Sequence, residues 1–212
     1  HDPQGLINLM GGKDNYIKKM DEIFTTKPSS DYSYYGFKIH EILEMELAGM
    51  GQYAHGNQPI QHAIYLYNYA QQPWKTQEKV RYVMDNLYGS GADGYCGDED
   101  NGQTSAWFVF SSLGFYPVAP VTGQYVIGSP LFKEVTIKLS NGKELKINAH
   151  DNSDKNIFIN SFKFNQSESN NNWIDHSNLK EGGIIDFEMS RTPNLNWGAD
   201  KNSVPYSMSK NE

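Results

Sequence analysis

The apolar spacing of this chain changes period near residue 122, and no all-helical or all-strand fold accommodates both halves. Before that point apolar residues recur every three to four positions, the period of a helix; beyond it they alternate, the period of a strand. Tyr16, Met20, Ile23 and Phe24 define one amphipathic helix, with Asp14 as its expected N-cap. Ile39, Ile42, Leu43, Glu46 and Leu47 define a second, stopped by Gly49 and Gly51. Pro59 suits the first turn of a third, which carries Ile60, Ala63, Ile64 and Tyr67. Thr76 is the expected cap of a fourth, with Val80, Val83, Met84 and Leu87 on one face and Gly89 and Gly91 beyond it. A fifth starts near Gln103, buries Trp107, Phe110 and Leu113, and stops at Gly114. After the switch, Val135 to Leu139 and Leu145 to Ile147 alternate around an Asn141-Gly142 hairpin turn. Two further strands are expected at 157–164 and 184–189, with 167–172 as a polar loop. The order is α+β: helices over 1–122, a small antiparallel β unit over 123–198 and a frayed tail over 199–212. No internal repeat is present.

Composition narrows the function classes. The 212 residues carry 18 Lys and Arg against 25 Asp and Glu, a net charge of −7. Nucleic acid is therefore not an expected partner, since phosphate binders carry basic stripes. No apolar run approaches the roughly 20 residues of a membrane span. The single cysteine, Cys96, excludes an internal disulfide and any zinc site built on cysteines. Aromatic residues are abundant at 13%. They serve equally to stack on sugar rings and to fill a core. The opening His1-Asp2-Pro3-Gln4 reads as the interior of a longer polypeptide.

Three clusters carry chemistry. The densest is Cys96-Gly97-Asp98-Glu99-Asp100-Asn101-Gly102-Gln103, three acids between glycines ahead of an aromatic helix. In an extended loop Asp98 and Asp100 share one face and Glu99 the other, and two close carboxylates can hold a water as a general base. The same acids could instead cap the following helix; a calcium loop of EF-hand type is excluded by spacing. The second cluster, His55-Gly56-Asn57-Gln58-Pro59 with Gln61 and His62, offers amide oxygens suited to Ca2+, or amides suited to sugar hydroxyls, or ordinary capping with His62 as a satisfied core histidine. The third, Tyr65 to Tyr69 followed by Pro73-Trp74-Lys75-Thr76, is either a stacking platform or helix packing, the latter favoured for Tyr65 and Tyr69. The sequon at Asn165 is incidental.

Taken together, five blocks resemble glycoside hydrolase family 92, the calcium-dependent exo-acting α-mannosidases. They are His1 to Gly12, His55 to Pro59 with His62, Tyr65 to Gln77, Gly97 to Trp107 running on through Ser112 to Pro117, and Gly128 to Phe132. The resemblance implies an N-terminal β-sandwich joined to an (α/α)6 barrel, this chain supplying the later barrel helices and the strands after them. It implies Ca2+ as cofactor, a terminal mannose of a glycan as substrate, and the rest of the same polypeptide as partner. The family's base falls on Asp98 and Asp100, and its proton donor lies upstream of His1, so the isolated chain is expected to be inactive and to leave apolar edges uncovered. Asn57 and Gln58 are the metal candidates; His62, Trp74, Lys75 and Gln103 are the sugar-contact candidates. Many members have Asn-Glu-Pro and His-His where this chain has Asn57-Gln58-Pro59 and Gln61-His62, which bears on linkage; an α-1,2 type is expected. Chelation of the cis O2 and O3 of mannose would help flatten the ring, and an inverting reaction sets acid and base roughly 6.5–9.5 Å apart. A bacterial enzyme in the periplasm, at the cell surface or secreted fits such a substrate. The rival readings are a non-catalytic carbohydrate-binding piece and a structural domain; if an acid had to come from this chain, Glu99 or Glu46 would be sought first.

Overall fold

A computed structural model describes residues 1–29 and 31–210. The chain runs α1 (Pro3–Leu9), α2 (Lys13–Thr25), α3 (His40–Ala48), a 3₁₀ helix (Gln58–Asn68), α4 (Pro73–Asn86) and α5 (Gln103–Leu113). Then come β1 (Phe115–Tyr116), a 3₁₀ turn (Pro120–Thr122), β2 (Gln124–Ile127), β3 (Glu134–Lys138), β4 (Glu144–His150), β5 (Phe158–Phe164), β6 (Ser167–Ser169), β7 (Trp173–Asp175), α6 (His176–Leu179) and β8 (Gly183–Ser190). The α+β order follows the change of period.

Several local expectations are corrected. The cap of α2 is Gly12; Asp14 sits inside its first turn. Helix α4 starts at Pro73, three residues before Thr76, because the Thr76 hydroxyl is buried and donates to the Ile64 carbonyl at 2.9 Å instead of capping. The segment after Pro59 is tightened into an eleven-residue 3₁₀ helix, long for its type. Its Tyr65 and Tyr67 rings are wholly buried, and Trp107 Nε1 donates to the Gln61 carbonyl at 3.2 Å. Tertiary packing has overridden the α period there. Tyr65 and Tyr69 are core residues, as packing predicts.

The strands form two sheets, β1-β2-β7 and β3-β4-β8-β5-β6. The β3–β4 hairpin turns at Asn141-Gly142, with Gly142 left-handed. The second sheet is mixed, since β4 and β8 run parallel, whereas an antiparallel unit was expected. Strand β6 lies where the polar loop 167–172 was expected and pairs with the edge of β5. Strands β2 and β7 escape the sequence pattern because each is under five residues. The tail is not frayed up to residue 210. Asp2 caps α1 through the Gly5 amide and also accepts from the Ser207 hydroxyl and the Ser209 amide on Oδ1 and the Ser209 hydroxyl on Oδ2. These donors hold the Asp2 carboxyl far below the usual carboxylate range. Residues 211 and 212 of the expected tail lie outside the described residues.

One core packs α1, α2, the 3₁₀ helix, α4 and α5; the other lies on the five-stranded sheet. Arg81 of α4 joins them, donating to the Pro130 carbonyl at 3.0 Å and Asn152 Oδ1 at 2.8 Å. A second joint is the buried pair Asn68 and Asn172, each donating through Nδ2 to the other's carbonyl. Helix α3 buries only Ala48, and Leu9, Tyr34 and Leu47 stand almost fully exposed, the uncovered apolar edges expected of a partial helical set. No helix among the described residues is long and apolar enough to cross a membrane.

Candidate active site

The acidic loop owes its shape to a left-handed run. Asp100, Asn101 and Gly102 have φ of 53°, 58° and 94°. Asp, Asn and Gly are the residues that enter this region at least cost. The turn brings Glu99 over the start of α5, where its carboxylate accepts from the Gly102 amide at 2.8 Å, the Ser105 hydroxyl at 2.5 Å and the Ser105 amide at 3.3 Å. The Ser105 hydroxyl, followed by the Gly102 amide, holds the Glu99 carboxyl below its usual value. Glu99 is therefore the helix cap. The loop does not run in extended alternation, since Asp100 is left-handed. The Asp98 and Asp100 side chains are exposed and accept no hydrogen bond among the described residues.

The loop is held by its backbone. The Asp98 carbonyl accepts from Gln58 Nε2 at 2.6 Å and from the Thr104 hydroxyl at 2.9 Å. Gln61 Nε2 donates to Thr104 Oγ1 and to the His55 carbonyl, both at 3.1 Å. Gln103 Nε2 reaches Gln61 Oε1 at 3.3 Å and the Tyr116 hydroxyl at 2.9 Å. Behind the loop, Gly56 and Gly97 cross so closely that a Cβ on Gly97 would lie 2.6 Å from Gly56 Cα and 2.7 Å from Glu44 Oε2. Two glycines are required because no side chain fits between the two backbones. This crossing sets the 55–58 segment beside Asp98. A cavity of about 620 Å3 opens here, with Asp98, Glu44, Asp93 and Tyr95 in its wall. Asp100 is not among its lining residues.

Of the sequence-derived candidates, the fold thus joins Gln58, Asp98 and Gln103 in one network, with Asn57 adjacent and exposed and Asp100 two residues along the loop. His62 is half-buried, and burial lowers its basicity, partly offset by a bond to the Pro59 carbonyl. Trp74 is half-buried in the first turn of α4. Lys75 is already engaged: its ammonium meets both Asp21 oxygens, at 2.6 and 2.8 Å, and lies 5.5 Å from the centre of the Tyr67 ring. Neither alternative acid is free, because Glu99 caps α5 and Glu46 pairs with Lys38 at 2.7 Å. The satisfied core histidine of the second cluster is His55, fully buried with both ring nitrogens bonded, and not His62. Sequence reasoning singled out neither Thr104 nor Glu44; the lone glycines at 56 and 97 were the available sign that two backbones meet there.

The amide donors suit a hard cation. Gln58 spends its nitrogen on the Asp98 carbonyl and Thr104 Oγ1, and its Oε1 has no donor among the described residues. Among the described residues no three His, Cys, Asp or Glu side chains gather as a metal cluster. A cation at Asn57 and Gln58 would therefore be held by amide oxygens and by oxygens from beyond these side chains.

Comparison with known proteins places the chain. The model of the glycosyl hydrolase family 92 catalytic domain matches residues 1–191. The GH92 inverting mannosidase BT2199 of Bacteroides thetaiotaomicron VPI-5482 is 53% identical, with a TM-score of 0.85 over 99% of this chain and 28% of that one. The GH92 α-mannosidase BT3965 of Bacteroides thetaiotaomicron is 36% identical, with a TM-score of 0.87 over 100% of this chain and 26% of that one; it has also been solved with mannoimidazole. A secreted glycosidase of Arthroderma benhamiae, itself uncharacterized, is 26% identical over 98% of this chain and 24% of its own length. The chain thus spans about a quarter of the length of the relatives it matches.

Proposed function

Because the chain belongs to the catalytic domain of glycosyl hydrolase family 92, we propose that it is the C-terminal quarter of an inverting exo-α-mannosidase, and that it supplies the general base. The observation that carries this reading is the division of labour in the acidic loop. Glu99 is consumed as a cap, while Asp98 and Asp100 are left exposed and without a donor among the described residues, on a loop fixed by Gln58 and Thr104. A carboxylate in that state takes a proton from an attacking water, and a fixed backbone spares the reaction the entropy of orienting it. The proton donor for the leaving sugar comes from the remainder of the polypeptide, which completes an (α/α)6 barrel over the exposed faces of α1 and α3. A Ca2+ ion at Asn57 and Gln58 would supply chelation of a cis hydroxyl pair. Gln103 and His62 are the remaining sugar contacts of this reading. Gln58, in the place of the more common glutamate, sets linkage preference, with α-1,2 as the working assignment. A glycan substrate fits an exported protein, periplasmic, surface-bound or secreted, in a bacterial glycan-degrading system.

The test uses the complete enzyme. Asp98→Asn and Asp100→Asn are assayed separately on an α-mannoside. Loss of the base lowers kcat by about 10²- to 10⁴-fold with little change in KM. Near-normal kcat in both variants overturns the assignment.

A further inference from the structure

His55 lies at the centre of a buried chain of hydrogen bonds whose direction is fixed by elimination. The Tyr88 hydroxyl donates its one proton to the Thr104 carbonyl at 3.1 Å. Toward His55 Nε2, 2.8 Å away, it can therefore only accept, so Nε2 carries a proton. Nδ1 lies within hydrogen-bond distance of the Tyr53 hydroxyl, at 2.7 Å. The ring lies edge-on to Trp107 at 4.4 Å, and Tyr88 is stacked parallel to the same indole at 5.8 Å.

The chain ends at the acidic loop. Thr104, whose carbonyl terminates it, is wholly buried, and its hydroxyl has every bond it can make: one donated to the Asp98 carbonyl, two accepted from Gln58 and Gln61. Gln61 in turn is tied to the His55 carbonyl. His55 thus reaches the Asp98 peptide by two routes, through Tyr88 and through Gln61.

We propose that His55 is a positioning residue for the acidic loop: the imidazole, donating from Nε2, fixes Tyr88, Tyr88 fixes the Thr104 peptide, and Thr104 fixes Asp98. Its importance for turnover rests on Asp98 belonging to the base; its ordering of the loop does not.

The test uses the complete enzyme labelled with 15N-histidine. Long-range proton–nitrogen NMR at neutral pH reads the tautomer, and amide exchange reads the loop. The expected wild-type signature is a His55 ring with a proton on Nε2. In Tyr88→Phe that proton loses its acceptor and exchanges faster with water. The amides of Gly102, Gln103 and Thr104 exchange about tenfold faster, as expected when a buried bond is lost locally. The amide of Ile185 in β8 is unchanged. His55→Phe has the same effect on the loop, and His55→Gln, which keeps an amide donor, recovers part of the protection. A His55 ring without a proton on Nε2 in the folded chain overturns the proposal. So does unchanged loop exchange in folded Tyr88→Phe, which also decides the matter if His55→Phe does not fold. In the complete enzyme, Tyr88→Phe lowers kcat with KM retained; a loosened loop with unaltered kcat would refute the base assignment and leave the positioning role intact.

Discussion

Gly97→Ala is a quantitative test of the crossing behind the acidic loop. The added Cβ would meet Gly56 Cα at 2.6 Å, Glu44 Oε2 at 2.7 Å and the Gly56 carbonyl oxygen at 2.9 Å. The carbon–carbon contact is about 1 Å short of an ordinary separation. Glu44 can swing aside, because it is a long side chain whose one polar partner among the described residues is His40 at 2.9 Å. Gly56 cannot, since His55 on one side is clamped by two tyrosines and Gln58 on the other holds the Asp98 carbonyl. The backbone must move, which puts the cost at the upper end of overpacking, about 3 kcal/mol. For a chain of this size that lowers Tm by about 6–12 °C. Gly102→Ala is the control. Its φ of 94° is unfavourable to alanine, yet nothing lies within 4 Å of the added carbon, so only the backbone term of about 1–2 kcal/mol applies. Gly97→Ala should therefore be the more damaging of the two. Adding Glu44→Ala to Gly97→Ala should restore a minor part of the loss, because the two backbone contacts remain. The assay is thermal and urea unfolding of the four proteins. A Gly97→Ala chain melting within about 1 °C of wild type, or one fully rescued by Glu44→Ala, would refute the claim that two backbones meet at this point.

Three further outcomes are expected. Asn172→Ala removes donors to the Asn68 and Gly198 carbonyls, at 3.0 and 2.8 Å. Two lost bonds cost about 2–3 kcal/mol, and removing its unpartnered Oδ1 offsets about 1, so urea unfolding should show a net loss of about 1–2 kcal/mol. The Glu99 cap should fail on acidification: its pKa is lower folded than unfolded, so its contribution is complete above the ordinary glutamate value of about 4.3 and is lost as pH falls toward the folded value. Amide exchange at Gly102 and Ser105, corrected for intrinsic rates between pH 6 and 3, should accelerate in wild type and lose this pH dependence in Glu99→Gln. In the complete enzyme, exhaustive chelation should abolish mannoside hydrolysis and Ca2+ should restore it where Zn2+ alone does not, while Asn57→Ala should raise the Ca2+ concentration needed; full activity after chelation would exclude the metal role.

The sequence by itself determined what depends on near neighbours. The change of period placed five helical segments and the main strands, because the 3.6 and 2.0 repeats are local geometry. Gly49 and Gly114 marked helix ends because both are left-handed there. The acidic loop was legible because three acids between glycines are unusual in any fold. Only the tertiary structure decided which partner each polar group found. Thr76 looked like a cap, but the 3₁₀ helix offered the Ile64 carbonyl; Lys75 looked like a sugar contact, but α2 offered Asp21. The parallel pairing of β4 with β8 depends on chain returning from some 35 residues away, which no local pattern encodes. The tail order depends on Asp2, more than 200 residues distant in sequence. The base candidates were visible as residues, yet their freedom was not. Among the described residues the Asp98 and Asp100 side chains stay unbonded because Glu99 takes the helix-capping role and Gln58 and Thr104 take the loop's backbone, an arrangement set where two glycines let distant backbones touch.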